Sequence, residues 1–325
     1  MGERVVLIAF DPTDEDRELA RSLEKLATIH FKEDLSKREL PQVLAQTEVL
    51  IAGGWRGTID SEMVSSMPRL RLIQTLAAGV NHVPFSSLSS SVAVSTGSGA
   101  NSPEIAEHVF ALILSAAKNV VKHTRAMRKS LFPQGEESKV LRERTLGILG
   151  VGSVGSHVAR LGRCFNMKVH GCDIRKPSSV LLDRFYQLDA LRDFLREVDF
   201  LVICVPLTRR TKGMIGKDEI SSMKTGAVLV NVSRGAVIRE KDLFDHLQGN
   251  PRFTACLDVW WKYTPDRKFI QNYPFEKLDN VVMTPHNAAF YPGYHKRMVQ
   301  LAFEKVARYL RDEPLEGLAD PSHYA

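Results

Sequence analysis

Short apolar runs rich in Val, Ile and Leu recur along the chain, separated by stretches whose apolar positions return every three or four residues. In the first hundred residues the runs are 5–10 (VVLIAF), 48–53 (EVLIAG), 70–76 (LRLIQTL) and 91–96 (SVAVST). Helical patterns cover 14–26 and the neighbourhood of 61–66. Runs apolar on both faces suit the strands of a parallel sheet with helices on each side. A polar loop spans 86–90, and 97–103 (GSGANSP) reads as a domain boundary. Pro103 then suits the first turn of one long helix continuing to Met127. Residues 129–144 are polar and turn-rich. Beyond them the rhythm resumes with runs at 145–150, 167–174, 199–206, 227–233, 253–259 and 280–285, and an amphipathic helix over 293–310 closes the pattern. The expectation is an α/β protein with a second parallel-sheet domain over about 99–288.

Length and composition agree with two domains of ordinary globular make-up: 325 residues, 44% hydrophobic and 25% charged. The longest apolar stretch, Val109–Ala117, is too short to span a bilayer, and the apolar run near the start lacks a signal-peptide layout. Residues 1–98 carry 10 Lys and Arg against 13 Asp and Glu, so the whole basic excess of +6 lies beyond residue 98. No run of five Lys or Arg occurs, and no motif points to nucleic acid. Cys164, Cys172, Cys204 and Cys256 form no CxxC pair and no zinc spacing. Cys172, Cys204 and Cys256, in or beside β-like runs, read as small buried thiols suited to a reducing cytoplasm.

The sharpest local chemistry is GILGVGSVGSHVAR. Gly150, Gly152 and Gly155 form G-x-G-x-x-G between a strand and a helix that opens near Ser153 and Val154. The first glycine makes the tight turn, the second lets backbone approach a pyrophosphate, and the third brings helix and strand together. The next strand ends at Asp173, where a carboxylate can accept from an adenosine ribose and favours NAD. Arg175, two residues on, can pair with a ribose phosphate, so NADP stays open as the lesser choice. Further on, VPLTRRT (205–211), NVSRGAVI (231–238), LDVW (257–260) and TPHNAA (284–289) fall at strand ends, where α/β sheets place their ligands.

In this order the motifs resemble the D-isomer-specific 2-hydroxyacid dehydrogenases, over about residues 50–290 and most densely over 99–288. AAGVNH (77–82) is similar to the family's substrate loop and GANSPEIAEH (99–108) to its N-x-x-x-x-A-E signature. The resemblance implies two doubly wound parallel-sheet domains, flavodoxin-like and Rossmann, with the active site in the cleft between them. Residues 1–98, completed by the C-terminal segment 289–325, would form the substrate domain, and 99–288 the NAD(P)-binding domain. It implies a homodimer through the cofactor domains.

The resemblance also implies roles. Arg234 matches the arginine that clamps the substrate carboxylate and carbonyl oxygen, and His286 the acid–base histidine. The backbone of Ala78, Gly79 and Val80 would bind the carboxylate, with Asn101 lining the substrate site. Val205, Pro206, Thr208, Thr211, Val232, Ser233 and Ala288 would line the cofactor cleft, and Asp258 would hold the nicotinamide carboxamide. Gly54, Trp55 and Arg56, in a loop after a strand, offer a second cation and an apolar wall to the substrate. One position departs from the pattern. The family usually carries a glutamate five residues after the LDV aspartate, partnered with the histidine, and here that position is Tyr263. Asp266 can substitute only if the loop folds back. The expected activity is reduction of a small 2-oxo acid of the glyoxylate or hydroxypyruvate type. Formate oxidation, which needs no proton transfer, is a minor second reading. The third is a dinucleotide-binding regulator that has lost catalysis.

Overall fold

In the computed structural model, which describes residues 4–53, 59–264, 266 and 268–324, the chain divides into two units. One comprises Met1–Asn101 with Tyr291–Ala325, the other Ser102–Phe290.

The first unit begins β1 (Val5–Ile8), α1 (Asp14–Ala20), β2 (Thr28–Phe31), α2 (Leu40–Gln46) and β3 (Val49–Ala52). It continues α3 (Ser61–Ser65), β4 (Leu72–Thr75) and β5 (Ala93–Ser95). Its described strands form one parallel sheet in the order β2-β1-β3-β4-β5, the flavodoxin-like order. Thr13 starts α1 with a capping box: its hydroxyl accepts from Asp16 N–H, and the Asp16 carboxylate accepts from Thr13 N–H at 2.9 Å.

The second unit holds α4 (Ser102–Ala117), α5 (Val120–Met127), β6 (Thr145–Leu149), α6 (Ser153–Cys164), β7 (Lys168–Asp173) and β8 (Arg184–Gln187). After these come α7 (Leu191–Glu197), β9 (Phe200–Ile203), α8 (Lys217–Ser222), β10 (Val228–Asn231), α9 (Glu240–Gly249), β11 (Thr254–Leu257) and β12 (Val281–Met283). These strands pair in parallel in the order β12-β11-β10-β9-β6-β7-β8. The order reverses at β6, so the β6–β9 neighbourhood is the switch point where such sheets take their ligands. One face is sealed by α4 and α6 through Val109, Ile113, Val158 and Ala159, the other by Phe194, Ile220, Leu243 and Phe253. Burial pushes the Cys172, Cys204 and Cys256 thiols up to about 12, which leaves them protonated and inert.

The chain then returns to the first unit as α10 (Tyr294–Leu310), which lays Val299, Phe303 and Val306 on Val6, Ile8, Ile51 and Leu72. Each large side chain buried there contributes about 1.5–3 kcal/mol. His295 on this helix meets Asp16 at 2.8 Å, tying the last helix to the first.

Three features differ from the periodicity. The single helix expected through Met127 is two, because Asn119 adopts φ +54 between them. Its neighbour Lys118 holds the break by donating to Lys139 O at 2.9 Å. Strands β2 and β8 carry no clear apolar run. Both are sheet edges whose short sequences mix apolar and polar residues: TIHF is half-buried throughout, and RFYQ fully buries only Tyr186.

Candidate active site

The glycine loop is built for backbone to approach a ligand. Gly150 has φ +92, and a Cβ there would lie 2.8 Å from Val205 N, so both conformation and space demand glycine. At Gly155 a Cβ would fall 2.2 Å from Gly150 O, the close helix–strand approach. Gly152 differs: a Cβ would meet nothing within 4 Å. It precedes α6 with no side-chain cap, so the N–H groups near Ser153 and Val154 remain for an anion. Asp173 braces the loop from below, accepting from Val151 N–H at 2.7 Å and Ile174 N–H at 2.6 Å. Arg175 is exposed beside it. A dinucleotide fits these residues: open space at Gly152, uncapped N–H groups, and an acid with lone pairs to spare.

The turn after β9 consumes most of its own polar groups. Thr211 Oγ1 donates to Pro206 O at 2.5 Å and accepts from Thr208 N–H at 2.8 Å, so Thr211 shapes the segment while Val205 packs beneath it. After β10, Asn231 organises the next loop. Its Oδ1 accepts from Ser233 N–H and Oγ–H, and its Nδ2 donates to Arg234 O at 3.0 Å. Half-buried Val232 lies between them. Arg234 Nη1 donates to Ser233 O at 2.7 Å. Gly235 lies so near the Trp260 backbone that a Cβ would come within 2.4 Å of its carbonyl carbon, which fixes the loop bearing Arg234 against the loop after β11.

His286 occupies a left-handed backbone conformation, φ +58, that costs a non-glycine residue about 1–2 kcal/mol. The surroundings enforce it. Asp258, 1% exposed, accepts from Thr284 Oγ1 at 2.7 Å, Asn287 N–H at 3.0 Å and Ala288 N–H at 3.2 Å. Trp260 Nε1 donates to Thr284 O at 3.0 Å. Burial and the Arg234 cation hold the imidazole below the ordinary histidine range, with Asp258 pulling the other way.

Tyr263 lies with its ring centroid 5.4 Å from that of His286, and its hydroxyl accepts from Trp260 N–H at 2.9 Å. Asp266 turns instead to Lys268, 2.9 Å away. Among the described residues His286 forms no ion pair. Trp260 and Trp261 are structural. Trp260 meets Phe269 edge-on, and Trp261 stacks on Phe275 and donates to Ile238 O.

The first unit holds its own candidates. Ala78 is exposed, Gly79 half-buried and Val80 buried. Their loop is anchored where Thr75 Oγ1 and Gly97 N–H both donate to Ala77 O. Asn101, 7% exposed, accepts from the Tyr291 hydroxyl at 3.1 Å. Gly54, Trp55 and Arg56 lie outside the described residues.

Sequence reasoning overlooked Asn231, Thr284, Tyr291 and His108, whose Nε2 lies 3.2 Å from Thr284 Oγ1. Asn231, Thr284 and His108 stand inside or at the end of motifs already singled out, but nothing local reveals which neighbour each holds.

Comparison with known proteins agrees with the geometry. The family described as D-isomer specific 2-hydroxyacid dehydrogenase, NAD binding domain, matches residues 110–288. A glyoxylate reductase of Aeropyrum pernix is 32% identical over 262 residues, 77% of this chain and 76% of that one. A D-3-phosphoglycerate dehydrogenase of Methanocaldococcus jannaschii is 28% identical over 97% of this chain, which spans 59% of that longer relative. Among solved structures, a D-isomer specific 2-hydroxyacid dehydrogenase family protein of Aeromonas salmonicida superposes with a TM-score of 0.77 at 26% identity, over 98% of this chain and 100% of that one. No described helix is long and apolar enough to cross a membrane. The chain thus belongs to the D-isomer specific 2-hydroxyacid dehydrogenases and is, by that membership, an NAD(P)-dependent oxidoreductase with a Rossmann-type nucleotide-binding unit.

Proposed function

We propose that the protein reduces a small 2-oxo acid of the glyoxylate or hydroxypyruvate type to the D-2-hydroxy acid, with NAD preferred and NADP accepted. The observation that carries this reading is the placing of Arg234 and His286 on strand-end loops of the same sheet in the second unit. Loops at the carboxyl ends of β10 and β12 hold them, and the arginine's charge reaches the imidazole. Arg234 clamps the substrate carboxylate and carbonyl oxygen with its planar fork, and His286 gives its proton to that oxygen. Bound NAD(P)H supplies the hydride. In the first unit, the backbone of Ala78, Gly79 and Val80 and the side chain of Asn101 bind the carboxylate. Gly54, Trp55 and Arg56 belong to the same proposal. Gly150, Gly152, Ser153, Val154, Gly155, Asp173 and Arg175 take the adenosine and pyrophosphate. Val205, Pro206, Thr208, Thr211, Val232, Ser233 and Ala288 line the remainder. Asp258 reaches the nicotinamide end with the lone pair that its three loop bonds leave. The test is NADH and NADPH consumption by the wild-type protein against a panel of 2-oxo acids. Turnover with glyoxylate or hydroxypyruvate is expected, and none with any panel member would refute it.

Tyr263 favours a second reading, a dinucleotide-binding regulator of weak or no activity, since the imidazole has its ring and hydroxyl neighbours in place of a carboxylate. The pH profile decides how catalysis copes. Reduction needs protonated His286, whose pKa is depressed, so kcat/KM falls as pH rises from below the ordinary value of about 6.5. In Tyr263→Glu a carboxylate favours the charged imidazole, and the falling limb moves to higher pH. An unmoved limb would show that position 263 does not act on His286.

Cofactor choice rests on Asp173. Asp173→Ala raises the NADPH-to-NADH ratio of kcat/KM and, by releasing Val151 N–H, weakens both cofactors several-fold. A ratio equal to wild type would remove Asp173 from the selection. The free thiols suit the cytoplasm. A homodimer through the second unit is supported by Val120, Met127, Leu131, Phe132 and Val140, all exposed apolar residues on and after α5. Light scattering should give twice the single-chain mass, and a monomer at micromolar concentration would contradict it.

A further inference from the structure

The loop that carries His286 is also held from a helix to which no substrate or cofactor role falls. From α4, His108 places Nε2 3.2 Å from Thr284 Oγ1 and 3.6 Å from Asp258 Oδ1. Thr284 Oγ1 spends its own hydrogen on Asp258 Oδ1, which leaves its lone pairs to accept from His108 Nε2–H. The relay therefore runs from imidazole N–H to hydroxyl to carboxylate, each bond polarising the next. Asp258 hands the constraint to Asn287 N–H and Ala288 N–H, the two residues after His286. The left-handed turn at His286 aims both N–H groups at one carboxylate, as in a backbone nest. Such a conformation persists only where its neighbours over-determine it.

We propose that His108 is a positioning residue for His286, acting through Thr284 and Asp258 to hold the left-handed turn that presents the catalytic imidazole. The inference rests on His286 being the proton-transfer residue. Among the described residues three groups face His286: Arg234 from the loop after β10, Asp258 from the loop after β11, and Tyr263 beyond it. Asp258 faces His108 as well, and Glu104 stands one turn earlier on α4. Loosening the turn admits water to the imidazole and relieves the burial that depresses it, so its titration moves up toward the ordinary value. What the tether needs is an N–H donor of the right reach. Gln supplies one and Ala does not.

The test uses the full chain as wild type, His108→Ala and His108→Gln, with the His286 imidazole titrated by NMR and assigned by its loss in His286→Asn. In His108→Ala the midpoint should rise by about half a pH unit or more. The kcat for 2-oxo acid reduction should fall about tenfold. His108→Gln should restore the midpoint and kcat. Equal midpoints in all three folded proteins, or equal shifts in Ala and Gln, would overturn the proposal and leave His108 a packing residue. If His108→Ala does not fold, Thr284→Val breaks the same relay one atom further on and should give the same shift, while Thr284→Ser should not. The titration needs no turnover. A wild type inert toward every 2-oxo acid would refute the functional reading while the tether was judged on its own.

Discussion

Replacing His286 with asparagine should lower kcat for 2-oxo acid reduction about 10²–10⁴-fold, the usual contribution of a positioned proton donor. Asparagine is the informative replacement because His286 sits at φ +58, a region asparagine tolerates better than most residues. The loop should therefore keep its bonds to Asp258, and lost activity would report the lost proton rather than a collapsed turn. The pH dependence attributed to the imidazole should vanish with it. A variant of near-wild-type kcat with the same falling limb would assign the proton to another group.

Arg234→Ala should cost roughly 10²–10³-fold in kcat/KM, the scale for removing a donor aimed at a developing oxyanion, while NADH still binds. Much of the cost should appear in KM, since the same guanidinium holds the carboxylate. A second consequence follows from the electrostatics. Arg234 is one of the causes holding His286 low, so its removal lets the imidazole pKa rise and carries the residual activity's falling limb to higher pH. Arg234→Lys keeps the charge and the low limb but not the two-pronged geometry, and should recover only part of kcat/KM. Equal activity in the wild type and the alanine variant would remove Arg234 from the substrate site.

Much of the architecture was readable because buried parallel strands are written as near-continuous apolar runs. Two parallel-sheet α/β domains followed from them, and the flavodoxin-like and Rossmann types from the family that the motifs resemble. The edges were not readable in the same way. TIHF and RFYQ are half-wet strands with no run to notice, and the break at Asn119 depends on a backbone angle and on a contact with residue 139. The glycine loop was legible to the individual residue, since each of the three glycines meets a different steric condition. What the sequence could not disclose is which polar group each motif residue holds. Thr284 and His108 act on residues 26 and 176 positions away, and only the fold makes them neighbours. Asp258 illustrates the gain. Marked from motif order as a cofactor contact, it proves first to be the anchor of the histidine loop.

The most direct measurement follows the hydride. The wild-type protein is incubated with NADH deuterated at the transferable position and with glyoxylate or hydroxypyruvate, and the product is analysed for label and configuration. A reductase built on Arg234 and His286 transfers deuterium to the carbon bearing the new hydroxyl, giving from hydroxypyruvate the D-2-hydroxy acid. NADH that binds tightly yet keeps its deuterium through prolonged incubation with either acid would contradict that chemistry and mark the protein as a dinucleotide-binding regulator.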